Sequence, residues 1–261
     1  MLYTHQPHFY SQYGEDELLW KLFGEQEDGF FVDVGAFDGV HLSNTFSFEQ
    51  RGWHGICIEP HPQYFPLCEF SRPHSICINC AAGSTSGNVD FWIEELGLLS
   101  GIDVDNDEIK TRYDARGLLF NGSKHIIVAV NTLNAILQKN MPPNTTIDFV
   151  SIDVEGTEME VLKGFDIGHH QPRVLLIEAN TASQRLEVTA YLHTKGYELA
   201  RQVGPNCFFV RQLHDIDRLM QLTIDGRSEM HQHPLGTKYT PVRCWKGQPF
   251  PDITHEFLKS E

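Results

Sequence analysis

Positive charge is scarce in this chain: 20 lysines and arginines stand against 35 aspartates and glutamates, for a formal net charge of −15. Such a surface repels phosphate backbones, so nucleic acid is not an expected partner. Long apolar runs are missing as well, which excludes a bilayer-spanning helix. The opening residues, MLYTHQPHFYSQYG, have neither a basic start nor an apolar h-region. They predict no signal peptide and a cytoplasmic protein. The six cysteines (Cys57, Cys68, Cys77, Cys80, Cys207 and Cys244) do not form the pattern of a disulfide framework in a chain of 261 residues. Cys77 and Cys80 make one CxxC with no second pair. Residues three apart on a strand point to opposite faces, so zinc is not expected there. The dinucleotide signature G-x-G-x-x-G is absent too, and with it the turn that lets a helix N-terminus cradle a pyrophosphate.

What stands in its place organises the chain. Phe30 to Thr45 reads FFVDVGAFDGVHLSNT. Phe30, Phe31 and Val32 suit a buried strand. Asp33 lies near its end, and Gly35 and Gly39 let the backbone turn tightly and a ligand approach. The stretch from His41 to Asn44 looks like the start of a helix, with Ser43, Asn44 and Thr45 able to hydrogen-bond there. The turn D-V-G-A-F-D-G has Phe37 for the middle glycine and is flanked by Asp33 and Asp38. Carboxylates there repel a diphosphate and suit a cationic ligand, such as one that carries a sulfonium, an ammonium and a ribose diol. The candidate cofactor contacts in this stretch are Asp33, Gly35, Ala36, Phe37, Asp38, Gly39, Ser43, Asn44 and Thr45.

Further candidates follow along the chain. SQYGEDELLWKLF, from Ser11 to Phe23, has apolar residues at helical spacing and acids in its first turn. It predicts an amphipathic helix packed on the domain, and a sharper reading puts Gln12 over the cofactor site. Gly55 to Ile58 is a second strand ending in Glu59 and Pro60. An acid at that tip, about 20 residues past the glycine turn, is where nucleotide folds hold a ribose diol. Ser75 to Cys80 is a third strand, and Asn79 with Ala81 at its tip can admit an adenine edge. Gly97 to Asp107 reads as a lid. Thr132 is a helix N-cap.

Phe149, Val150 and Ile152 form a buried strand that Gly156 ends, with Asp153 and Glu155 at its end. Two residues apart on an extended chain, they are expected to face the same way. Paired carboxylates at a strand tip can serve as general base, ammonium clamp or ligands of a divalent cation such as magnesium or manganese. Glu178 ends the next strand and is a further candidate base. Strands alternating with helices predict an α/β protein with a parallel, doubly wound sheet. From His214 the pattern dissolves into a tail with His231 and His233. The predicted organisation is an N-terminal helical extension over 1–29, a catalytic domain over 30–213 and an irregular tail over 214–261.

Taken together, SQYGEDELL at 11–19, DVGAFDG and SNT within 33–45, GWHGICIEPHP at 52–62, NCAAG at 79–83 and IDVEGTEMEVLKG at 152–164 resemble the FkbM family of S-adenosylmethionine-dependent methyltransferases. The resemblance covers roughly residues 9–211. It implies a Rossmann-like class I methyltransferase fold, mostly parallel with an antiparallel closing strand. It implies O-methylation, often of sugar or polyketide hydroxyls, with a small-molecule or glycan acceptor. It carries Asp33, Gly35 and Gly39 to the methionine part of the cofactor, Glu59 to its ribose, and Asp153 and Glu155 to the transferred methyl. Two other readings stay open: a catalytically silent relative acting as a binding or trafficking module, and a nicotinamide oxidoreductase.

Overall fold

The structure, a computed structural model, describes residues 8–24, 26–94, 99–102, 106–114 and 119–225. In chain order its elements are α1 (Glu15–Phe23), β1 (Phe30–Val34), α2 (Phe46–Glu49), β2 (His54–Ile58), α3 (Phe65–Ser71), β3 (Ile76–Ile78), β4 (Ala81–Ala82), β5 (Gly87–Glu94), α4 (Asn106–Asp114), β6 (Ser123–Asn131), α5 (Leu133–Asn140), β7 (Phe149–Ile152), α6 (Glu158–Lys163), α7 (Ile167–His170), β8 (Val174–Glu178), α8 (Ala182–His193), β9 (Glu198–Val203), β10 (Asn206–Val210) and α9 (Leu213–Gln221). A seven-stranded sheet runs β3-β2-β1-β7-β8-β10-β9. Neighbours from β3 to β8 are parallel, and β10 is antiparallel to both β8 and β9. This is the doubly wound, mostly parallel α/β sheet with an antiparallel closing strand that the class I methyltransferase fold requires. A smaller sheet, β4-β6-β5, stands beside it.

Every residue of β1, β7, β8 and β10 is buried. Strands covered on both faces need apolar residues at odd and even positions alike, and the sequence supplies them. On one face Val32, Val34, Ile56, Ile58, Val150 and Ile152 pack with Leu133, Leu137, Val161, Leu162 and Leu192 of α5, α6 and α8. On the other, Phe31, Cys57, Phe149 and Leu176 pack with Leu18, Leu19 and Leu22 of α1, Phe48 of α2, Cys68 of α3 and Leu219 of α9. The helix α1 is therefore a core element rather than an appendage. Each fully buried Leu or Phe stabilises by roughly 1.5–3 kcal/mol.

Several local expectations change. The turn after β1 stays irregular through Asn44, and the helix begins at Phe46; Leu42 instead bridges to Ser11. Chain expected to be irregular from His214 forms α9, with Leu219 and Asp215 fully buried. Arg173 clamps Asp215 through two bonds of 3.0 and 2.7 Å, a bidentate geometry that offsets desolvation. The periodic apolar positions Leu213, Ile216, Leu219 and Met220 were there to be read; Gln212 offers no side-chain cap to announce them. Much of the expected lid over Gly97 to Asp107, and the tail with His231 and His233, lie outside the described residues. No helix among the described residues is long and apolar enough to cross a membrane.

Candidate functional site

The strand order reverses between β1 and β7, and open α/β sheets bind ligands beyond the strand ends at such a point. Here the backbone is drawn tight. Gly35 and Ala36 N–H groups donate to the Ile58 carbonyl at 2.9 and 3.1 Å, and Asp153 N–H donates to Val34 at 2.9 Å. Gly35 has φ +88°, and a Cβ there would stand 1.7 Å from the Asp153 carbonyl oxygen. Only glycine lets the tip of β7 close on the turn. Phe37, at φ 51°, donates its N–H to Glu59 Oε2 at 2.7 Å and stacks on Tyr64 at 4.0 Å. Gly39, φ +83°, brings the backbone against Cys68 of α3.

The acids of the turn are buried in a network. Asp33 accepts from Thr45 Oγ1 at 2.5 Å and lies 3.6 Å from Arg72. Arg72 is buried and donates to the Gly39 carbonyl, Ser43 Oγ and Thr45 Oγ1 at 2.6, 2.6 and 2.8 Å. One guanidinium thus fastens the whole turn. Sequence reasoning passed over Arg72, because an arginine in SRPHS carries no motif. Burial pushes the Asp33 carboxyl up to about 6, with Cys57 adding to the rise and Arg72 opposing it. Asp38 accepts from the N–H groups of Val40 and His41 at 2.9 and 2.7 Å; its other oxygen is buried without a hydrogen-bond partner. Asn44 donates to Ser151 at 3.1 Å, tying the turn to β7.

At the tip of β2, Glu59 is 5% exposed. Besides Phe37, it accepts from His61 N–H at 2.7 Å. Burial pushes its carboxyl up to about 8 against these two donors, and Asp33 and Asp38 add to the rise. Pro60 is half-buried between Glu59 and His61. The buried His61 Nε2 has no hydrogen-bond partner, and burial lowers its ring to about 4. Asn79 donates to the Glu59 carbonyl at 2.8 Å, while Ala81 is buried in β4, paired with Val130. A buried acid and an unpartnered ring nitrogen beside a glycine turn fit a polar, diol-bearing ligand that carries positive charge.

The strand β7 ends at Ile152, earlier than expected. Glu155, φ 55°, and Gly156, φ 111°, form a left-handed turn, so Asp153 and Glu155 do not sit on extended chain. The turn still delivers their carboxylates together: oxygens of Asp153, Glu155 and Glu178 lie within 4.8 Å of one another. Burial, then the Glu178 charge, holds the Asp153 carboxyl well above the usual range. The trio has the spacing to share an ion, although acidic groups often meet without one. Glu158 secures the turn by accepting from Val154 and Gly156 N–H groups at 3.2 and 3.0 Å. Beside Glu178 opens a cleft of about 460 Å³ lined by Gln12, Asn180, Thr181, Arg185 and Gln202, among others. Gln12 thus faces the Glu178 side of the site.

These features place the chain in a class of ligand-binding α/β proteins whose site lies at the switch point. A family model, the methyltransferase FkbM domain, matches residues 33–199. The chain belongs to that family of S-adenosylmethionine-dependent methyltransferases. A curated relative, methyltransferase sdnD of Sordaria araneosa, is 31% identical over 90 residues, which cover 31% of this chain and 35% of the relative. The match thus spans about a third of that relative's length. Among solved structures, a TehB-like methyltransferase from Corynebacterium glutamicum is 11% identical at TM-score 0.39, covering 77% of this chain and 88% of its own. A putative RNA methyltransferase from Pyrococcus horikoshii is 12% identical at TM-score 0.40, over 76% and 84%. The fold assignment rests on the strand order described above.

Proposed function

We propose that this chain transfers the methyl group of S-adenosylmethionine to a hydroxyl oxygen of a sugar, glycan or related small molecule. The observation that carries the reading is the convergence of Asp153, Glu155 and Glu178 at the switch point, beside a polar cleft. When bound, the sulfonium supplies an electrophilic methyl with a good leaving group. The chain must then orient the acceptor in line and take its proton. Asp153 is assigned as the base: burial and the Glu178 charge raise its affinity for a proton. Glu178 holds that pKa up, and Glu155 is assigned to orient the acceptor. Asp33, Gly35 and Gly39 are assigned to the methionine part, Glu59 to the ribose diol, and Asn79 with Ala81 to the adenine edge.

The cleft supports a polyhydroxylated acceptor. Its amide, hydroxyl and guanidinium groups offer donors and acceptors without a large apolar wall, and its volume of about 460 Å³ is that of a small-molecule site. A net charge of −15 favours such an acceptor over nucleic acid. The test is an acceptor screen read by mass spectrometry, weighted towards glycans. The reading expects a product one methyl heavier, with the methyl on oxygen. A methylated nitrogen would overturn it, as would binding of the cofactor without turnover of any hydroxyl acceptor.

A further inference from the structure

Outside the acid-lined site lies a second cluster. Cys57 and Cys77 are register partners on the parallel strands β2 and β3, so their side chains leave the same face of the sheet. The helix α3 packs over that face and supplies Cys68. The three sulfurs lie within 4.8 Å of one another, and Cys68 Sγ is 3.9 Å from Cys77 Sγ. Cys57 and Cys68 are fully buried, while Cys77 is half-buried. Arg72, one turn beyond Cys68, brings positive charge to the group, and its N–H donates to the Cys68 carbonyl at 3.0 Å. A partly accessible thiol beside a cation and a second thiol has the surroundings of a redox-responsive cysteine.

We propose that Cys77 is a site of oxidation by hydroperoxides, that Cys68 resolves it as a disulfide, and that this bond weakens cofactor binding through Arg72. Thiol donors from Cys57 and Cys68 lower the Cys77 thiol, with Arg72 assisting, and so favour its thiolate. Cys77 thiolate sulfur attacks a peroxide oxygen, the O–O bond breaks, and the departing hydroxide takes a proton from solvent to leave as water. The sulfenic acid is then attacked by Cys68 sulfur. The S–O bond breaks, the S–S bond forms, and hydroxide takes the Cys68 proton to become a second water. The two thiols give up two electrons, and hydrogen peroxide is reduced to two waters. Cys57 is a poorer resolving partner, because it shares a sheet with Cys77, whereas Cys68 lies on the short helix α3 that packs over it.

Closing a 3.9 Å separation to the roughly 2.05 Å of a disulfide draws Cys68, and α3 with it, towards β3. The C-cap of α3 is Arg72, which holds Gly39, Ser43, Thr45 and Asp33. Cys68, at the middle of the helix, has its Cα 3.1 Å from where a Cβ at Gly39 would stand. There is little slack between the cysteine cluster and the cofactor turn. Three sulfurs at this spacing also approach the demands of a thiophilic metal ion. The guanidinium beside them opposes a further cation, and a fourth ligand is not in evidence among the described residues.

The test is direct. Reduced protein is treated with hydrogen peroxide, free thiols are alkylated, and peptides are mapped by mass spectrometry. A Cys68–Cys77 disulfide is expected, with S-adenosylmethionine affinity lowered at least about fivefold and restored by dithiothreitol. Cys68→Ser and Cys77→Ser should keep their affinity under the same treatment. The reversal in unmodified protein stands even if a variant folds poorly. Thiols that stay fully alkylatable would overturn the site, as would stoichiometric uptake of zinc or copper(I) by the reduced protein. A disulfide that leaves affinity unchanged would overturn the link to Arg72. That last readout rests on cofactor binding by this chain; the peptide map does not, so the two failures are distinguishable.

Discussion

Replacing Gly35 by alanine isolates the contact on which the site is built. The native φ of +88° alone costs an L-residue roughly 1–2 kcal/mol. The new Cβ would lie 1.7 Å from the Asp153 carbonyl oxygen, about half a normal contact distance, so the tips of β1 and β7 must separate. The bonds from Gly35 and Ala36 to Ile58 and from Asp153 to Val34 are the first at risk. Losing two of them adds about 1 kcal/mol each. The expected penalty is about 3–4 kcal/mol, a large part of a domain's stability. Gly196→Ala is the control: its φ is +80°, yet nothing stands within 4 Å of a Cβ there. It should cost only about 1–2 kcal/mol. Urea unfolding of both variants decides the matter, together with calorimetric titration of S-adenosylmethionine. Gly35→Ala should unfold at clearly lower urea and bind poorly. If the two variants shift equally and both keep full affinity, the closure of β7 on the turn is not what shapes the site.

Other outcomes follow from the same geometry. Asp153→Asn should bind cofactor as the parent does but turn over about 10²–10⁴-fold more slowly; full turnover would remove Asp153 as base. Glu59 has a carboxyl near 8 in the folded chain against 4.5, so the ligand-free protein should lose stability as pH rises between those values, because the folded state holds the proton longer. If the ribose hydroxyls donate to the ionised form, affinity should climb about tenfold from pH 7 to pH 9. Glu59→Gln should bind weakly with a flat profile, and a parental profile in that variant would contradict the assignment. The proposal sends the acceptor proton to a carboxylate, so EDTA should leave activity unchanged. Loss in EDTA with rescue by magnesium or manganese would replace the base by a cation held on Asp153 and Glu155.

The sheet was legible because its strands are buried on both faces and end in glycine or acid. Runs such as FFVDV, GICI, FVSI and VLLIE leave little choice of element. Thr132 announced its helix, and its side chain accepts from Ala135 as expected of an N-cap. What escaped reading depends on contacts far apart in sequence. Arg72 reaches back to Gly39, and Asn206 donates to Glu15 at 2.6 Å. The acids of α1 illustrate the point. They read as partners of the helix dipole, yet Glu15 and Asp16 are fully buried, and Asp16 accepts from Ser11 Oγ and Tyr10 N–H at 2.6 and 2.7 Å. The closeness of Cys57, Cys68 and Cys77 was likewise invisible. The CxxC drew attention to Cys80, whereas Cys80 packs into the opposite core. Asp153 and Glu155 converge as expected, but through a left-handed turn that period-two reasoning does not contain.

The most direct measurement is calorimetric titration of the purified chain with S-adenosylhomocysteine, repeated with NADH. The account predicts one binding site for the former, strongly weakened in Glu59→Ala, and none for the latter. Tight NADH binding with no heat from S-adenosylhomocysteine would contradict it, because a diphosphate would then occupy the turn around which the carboxyl groups of Asp33, Asp38 and Glu59 are buried.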